Sequence, residues 1–130
     1  MRIQLIILTA LLSLNVNAVD DKSMQELFKK YDSVMDHKKV DLIEEVFTKK
    51  FIHQSGGKAE LVEKIKELEA PPSNTKTSMT WKKGTKGTMY FAKVKEISPG
   101  KSKKDNHEAE FIVVEEEGKL KIDGTLSDSN

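Results

Sequence analysis

The sequence predicts an α+β domain: three N-terminal helices packed on a curved antiparallel sheet. Three observations carry this. Apolar residues recur at helical spacing in three segments as far as Leu68, and Pro71-Pro72 ends that half of the chain. From Thr75 onward apolar and polar residues alternate, with turn residues between the runs. Helices come first and strands follow, the order of an α+β fold and not of βαβ units. An antiparallel sheet needs one face covered, and the helices are available to cover it.

Residues 1–18 read as a secretory signal peptide. Arg2 is the positive start, the apolar run through Leu14 is too short to span a bilayer, and Val16-Asn17-Ala18 offers a cleavage site. The expectation is a leader over 1–18 and one domain over 19–130, secreted or periplasmic, with no membrane contact after cleavage. Ser23-Met24-Gln25-Glu26 fits a capping box. Met24, Leu27, Phe28, Tyr31, Val34 and Met35 then mark a first helix ending between residues 36 and 39. Asp41 is placed to cap a short second helix with Leu42, Ile43, Val46 and Phe47 as its stripe. Phe51-Ile52-His53 reads as a short extended stretch. Gly56-Gly57 stops it and opens a third helix over 58–68, burying Leu61, Val62, Ile65 and Leu68.

The strands follow. Thr75, Thr77, Met79 and Trp81 alternate with polar positions, and residues 84–87 turn the chain. Residues 88–97 make a strand with two apolar faces, Met89 and Phe91 on one, Tyr90, Ala92 and Val94 on the other. Pro99-Gly100 and the Lys-rich segment to 106 form an exposed loop. Residues 108–116 form a strand with Ala109, Phe111 and Val113 opposite Ile112 and Val114. Glu117-Gly118 is a tight turn, and 119–125 returns with Leu120 and Ile122 inward.

Composition narrows the chemistry. With no Cys, disulfides, thiol catalysis and thiolate metal sites are excluded. Beyond Arg2, 21 Lys balance 21 acidic residues, which argues against a nucleic-acid binder. All cations after the leader are Lys, so no guanidinium fork grips a phosphate or carboxylate. Residues 82–105 carry eight Lys against Glu96 and Asp105, and residues 106–130 carry seven acids against Lys119 and Lys121. Two antiparallel strands with opposite charges facing each other account for this; a basic binding patch is the alternative.

Residues 28–51 (a helix, a polar break, Asp41 before a short apolar helix, then Phe47 and Phe51), Gly56-Gly57 leading into Leu61, Val62 and Ile65, and Glu116-Glu117-Gly118-Lys119-Leu120-Lys121-Ile122-Asp123-Gly124 belong together. In that order they resemble the nuclear transport factor 2-like superfamily, also called SnoaL-like or cystatin-like cone proteins. Leu120 departs from the pattern, since relatives often carry Trp there. The resemblance implies a curved sheet and helices enclosing a conical pocket. Members include isomerases, cyclases, dehydratases, small-molecule binders and association domains, so it carries no activity by itself. It also implies that His53 occupies a pocket-lining polar position and that Asp123 faces the same cavity.

His53 is the first candidate for chemistry, because imidazole titrates near neutral pH and can move a proton at an acidic carbon. A partly exposed His bonded to a loop is the plainer reading. Asp123 is a candidate partner, or a turn residue bonding local N–H groups before Gly124. Tyr31 and Trp81 each offer an aromatic wall with a donor tip, or simply a core residue with a polar edge. His37, His53 and His107 are scattered, so no metal is expected, and no cofactor motif stands out. The functional expectation is an exported module without catalysis. It would hold a small apolar or amphipathic ligand against Tyr31, Phe51, His53 and Trp81, or pair with a second copy through the sheet face. The alternatives are a small isomerase or dehydratase with His53 as general base and Tyr31 or Asp123 as partner, and an inhibitor or immunity-like partner of another secreted protein.

Overall fold

The computed structural model describes residues 19–69, 75–85, 89–97 and 107–126. The leader, the Pro71-Pro72 stop, the second half of the turn at 84–87 and the Lys-rich loop after Pro99 lie outside them. The elements are α1 (Asp21–Asp36), a 3₁₀ turn (Val40–Leu42), α2 (Ile43–Val46), α3 (Lys49–Gln54), α4 (Lys58–Glu67), β1 (Lys76–Lys83), β2 (Tyr90–Ile97), β3 (His107–Glu116) and β4 (Lys119–Thr125). The strands form one antiparallel sheet in the order β1-β2-β3-β4. Helices precede the sheet and cover one face of it, as the α+β prediction has it.

Helix α1 buries Met24, Leu27, Phe28 and Val34 along one stripe. Its cap is Asp20 and not Ser23: the Asp20 carboxylate accepts the Ser23 N–H at 2.9 Å. An aspartate three residues upstream caps as well as a serine does and extends the helix by a turn. That hydrogen bond holds the Asp20 carboxyl below its ordinary value. At the other end Lys38 takes a positive φ of 57°. Its ammonium donates to the carbonyls of Met35, Ile65 and Leu68 at 2.9, 2.8 and 2.8 Å. One cation therefore serves the last turns of both α1 and α4.

The inward face of the sheet carries Tyr90, Ala92 and Val94 on β2, Phe111 and Val113 on β3, and Ile122 on β4. Ala92 sits between Trp81 and Phe111, and Val113 between Tyr90 and Ile122. Of the two apolar faces expected for β2, the one with Tyr90 turns inward. The charge blocks meet across strands: Lys93 opposes Glu110, and Lys95 opposes Glu108 with an ion pair of 3.5 Å; within the acidic block Glu116 opposes Lys119.

Two local features position the site. Between Ile112 and Val113 the register of β3 and β4 slips, so Val113 faces Ile122, Ile112 faces Gly124, and Asp123 is the extra residue of a bulge. The chain between α2 and α3 then lies along the β4 edge. Phe47 makes a single parallel bridge to Ile122, and the Thr48 N–H donates to the Ile122 carbonyl at 3.0 Å.

Phe51-Ile52-His53 is a correction to the sequence reading. The segment is helical, within α3, and not extended. Thr48 is the reason: its hydroxyl accepts the Phe51 N–H at 3.1 Å and donates to Asp123 at 2.7 Å. The Glu116 carboxylate takes the Lys49 N–H, 3.4 Å from each oxygen. Three residues are too few to distinguish a strand from one helical turn, and the partners that decide lie on β3 and β4. Asp41 likewise sits inside the 3₁₀ turn and makes no capping bond. Gly56 and Gly57 end α3 at φ 98° and 97°, where a side chain would be strained; at Gly56 it would also meet the Glu60 carboxylate.

Candidate functional site

The edge segment and the bulge leave a cavity of about 250 Å³ between α2, α3 and β4. Phe47 and Ile52 form its apolar floor; Glu44, Lys49 and His53 stand at its rim, and Lys121 forms a wall. Phe47 is held from behind by Phe51, stacked with ring centroids 4.8 Å apart. Lys121 alternates with the inward-facing Ile122, so strand parity places it on the other face of β4. There α3 folds over the edge and covers its stem, leaving the residue 9% exposed. Its ammonium lies 3.4 Å from Glu116. The rim charges have their own partners: Lys49 pairs with Glu117 at 3.0 Å and Glu44 with Lys58 at 3.2 Å.

The residues singled out in the sequence are distributed as follows. His53 lies in the last turn of α3 and is exposed on the cavity rim. Phe51 and Tyr31 both pack on Phe47. The Tyr31 ring also meets Phe111 at 5.2 Å and Phe28 at 5.9 Å. Burial, helped by the nearby carboxylates of Glu96, Asp32 and Asp36, pushes its hydroxyl up to about 12. Trp81 is elsewhere: its indole N–H donates to Asp21 at 2.8 Å at the start of α1, with its ring edge-on to Tyr90. Ten residues of α1 separate Asp21 from Tyr31, roughly 15 Å. Asp123 holds Thr48 and pairs with Lys50 at 3.1 Å. Among the described residues no hydrogen bond joins His53 to Asp123 or to Tyr31.

Of the residues that line the cavity, His53 is the one among the sequence candidates; Phe47, Ile52 and Lys121, which form its floor and wall, were left out, as were Glu44, Lys49 and Gly57. One signal was present. Thr48 before Lys49-Lys50-Phe51, with Gly56-Gly57 six residues beyond Lys50, is the pattern of a short capped helix. Read so, Ile52 would have been placed beside the following turn. Nothing local marks Lys121, because a Lys between Leu120 and Ile122 reads as an outward strand residue.

A second electrostatic feature lies at the far end of α1. Asp32 is half-buried near Asp36 and Glu96, and its carboxyl is pushed up to about 6, first by burial and then by those two charges. A carboxyl raised above its unfolded value of 3.8 binds its proton more tightly in the fold. Its ionisation therefore costs stability as pH rises from about 4 to about 6, and the cost persists above that. We expect Asp32→Asn to stabilise the protein at pH 7 by about 1 kcal/mol, after allowance for solvent screening of a half-exposed group. Urea midpoints between pH 4 and 7 measure this; a slope identical in the two proteins would refute it.

A trough of about 580 Å³ runs between α1 and the β3–β4 hairpin, past Leu27, Leu120 and the Lys30–Glu45 pair. The outer sheet face, where the sequence reading placed self-association, carries half-buried Phe91, Ile112 and Val114 among the charges of Lys93, Lys95, Glu108 and Glu110. No helix among the described residues is long and apolar enough to cross a membrane. Nor do three His, Asp or Glu side chains among them come together as a metal ion would require. The chain matches no protein-family model and no curated protein.

Proposed function

We propose that this chain is an exported small-ligand-binding module of the nuclear transport factor 2-like type, acting without catalysis. Its ligand sits on the flank of the cone, in the cavity bounded by α2, α3 and β4. The observation that carries the reading is that cavity itself: an apolar floor of Phe47 and Ile52 beside Lys121, a lysine only 9% exposed. Concave apolar spaces with a few polar groups at the edge are where small molecules bind. The inside of the helix–sheet wrap supports the same placement, since Phe28, Tyr31, Phe47 and Phe111 pack ring against ring there. Export and family rest on the leader pattern and on the order of elements, and the absence of catalysis on the separate engagements of Asp123 and Tyr31.

A fragment titration followed by amide NMR tests it. Small apolar and amphipathic compounds are expected to shift the amides of Phe47, Ile52, His53 and Lys121 as one group. A set of such compounds that leaves those four amides unmoved would remove the proposal.

A further inference from the structure

The chemistry around Lys121 names a ligand class, an inference that rests on the binding reading above. Glu116 is its ion-pair partner among the described residues, at 3.4 Å, longer than a good charge-assisted hydrogen bond. That carboxylate is also shared with the Lys49 N–H. Glu116 does not line the cavity, whereas Lys121 does, so Lys121 is the member of the pair that borders the open space. An ammonium has three N–H donors, and burying it is costly unless they are met. Of the charged residues at the rim, Lys49 is neutralised by Glu117 and does not oppose an anion in the cavity. Glu44, the one acid there, is neutralised by Lys58.

Size narrows the class further. An apolar cavity of about 150 Å³ holds a benzene ring, and drug-sized ligands begin near about 300 Å³. At about 250 Å³ this one suits a molecule between the two, on the order of ten non-hydrogen atoms. We propose that the cavity binds a small amphipathic carboxylate, its charged end on Lys121 and its hydrocarbon on Phe47 and Ile52. Medium-chain fatty acids and arylalkanoic acids share this chemistry. Ligands of this size bind with Kd on the order of 0.1–1 mM.

The experiment is a titration of the full chain, by calorimetry and amide NMR at fixed ionic strength. The probes are octanoate, 3-phenylpropionate, octan-1-ol and inorganic phosphate. Either carboxylate should bind, shifting Phe47, Ile52, His53 and Lys121, and the tighter of the two identifies the hydrocarbon. Octanol should bind at least about tenfold more weakly, and phosphate should not bind. Lys121→Met, which keeps the stem and removes the charge, should weaken the carboxylates about tenfold and leave octanol unchanged. Lys121→Gln serves if the Met variant does not fold, and Ile52→Trp should fill the cavity and abolish both. Equal binding of octanoate and octanol, indifferent to Lys121, would overturn the carboxylate assignment and leave the binding module standing. Phosphate binding as tight as octanoate would overturn the amphipathic class. Failure of all four probes to move those amides would overturn the binding reading itself.

Discussion

Phe111→Ala should lower the stability of this protein by about 4 kcal/mol, against the roughly 5–15 kcal/mol that holds a small domain together. Phe111 is 6% exposed and sits at the centre of β3. Its ring meets Phe28 at 5.6 Å and Tyr31 at 5.2 Å, so it is one of the contacts that seat α1 on the sheet. Ala92, its neighbour across β2, is too small to swing into the space left behind. Truncation therefore leaves a cavity and loses the ring contacts together. The melting temperature should fall by roughly 15 °C. Phe91→Ala is the control: Phe91 is half-buried on the opposite face of β2, and its loss should cost about 1 kcal/mol. Equal losses at the two positions would mean that the helices do not rest on the face described.

Lys38→Met should cost about 3 kcal/mol, far more than a surface lysine usually does. The stem length is kept, so the change isolates the ammonium. Three carbonyls from two helix ends lose the ammonium together, those of Met35, Ile65 and Leu68, although Ile65 keeps the Leu68 N–H at 3.1 Å. The backbone at Lys38 stays left-handed at φ 57°, a conformation that costs a non-glycine residue about 1 kcal/mol and is offset in part by those bonds. Lys38→Gly should fall between the two, relieving the backbone while losing the cap. Lys39→Met, next door and exposed, should be neutral. Urea unfolding of the three variants measures the set; a neutral Lys38→Met would show that water replaces the ammonium at both helix ends.

The sheet was legible in the sequence because its signals are local. Alternation of Tyr90, Ala92 and Val94, and of Phe111 and Val113, needs only period two and a buried face. The meeting of Lys93 with Glu110 and Lys95 with Glu108 follows from one basic strand being followed by one acidic strand. What escaped was decided at long range. Helix α3 depends on Thr48 finding Asp123, 75 residues away, and on Glu116, 67 residues from Lys49. The Lys38 cap depends on Ile65 and Leu68, which no window around Lys38 contains. For the candidate site, His53 was singled out because an imidazole attracts notice wherever it stands, and Phe51 stands behind Phe47 without lining the cavity. Phe47 was noticed only as a stripe residue and Lys121 only as a charge. Their meeting is a product of the chain passing along the β4 edge.

That passage has a consequence for how the protein behaves in a crowd of its own copies. With Thr48 hydrogen-bonded to Ile122, part of one border of the sheet is already taken. Among the described residues the opposite border, β1, pairs on one side only, with β2. It carries Lys76, Lys82 and Lys83, whose mutual repulsion discourages an incoming strand from adding there. Neutralising those three amines should raise the tendency of β1 to add a strand from a second copy, read as thioflavin-positive fibrils that the unaltered chain does not form under the same conditions.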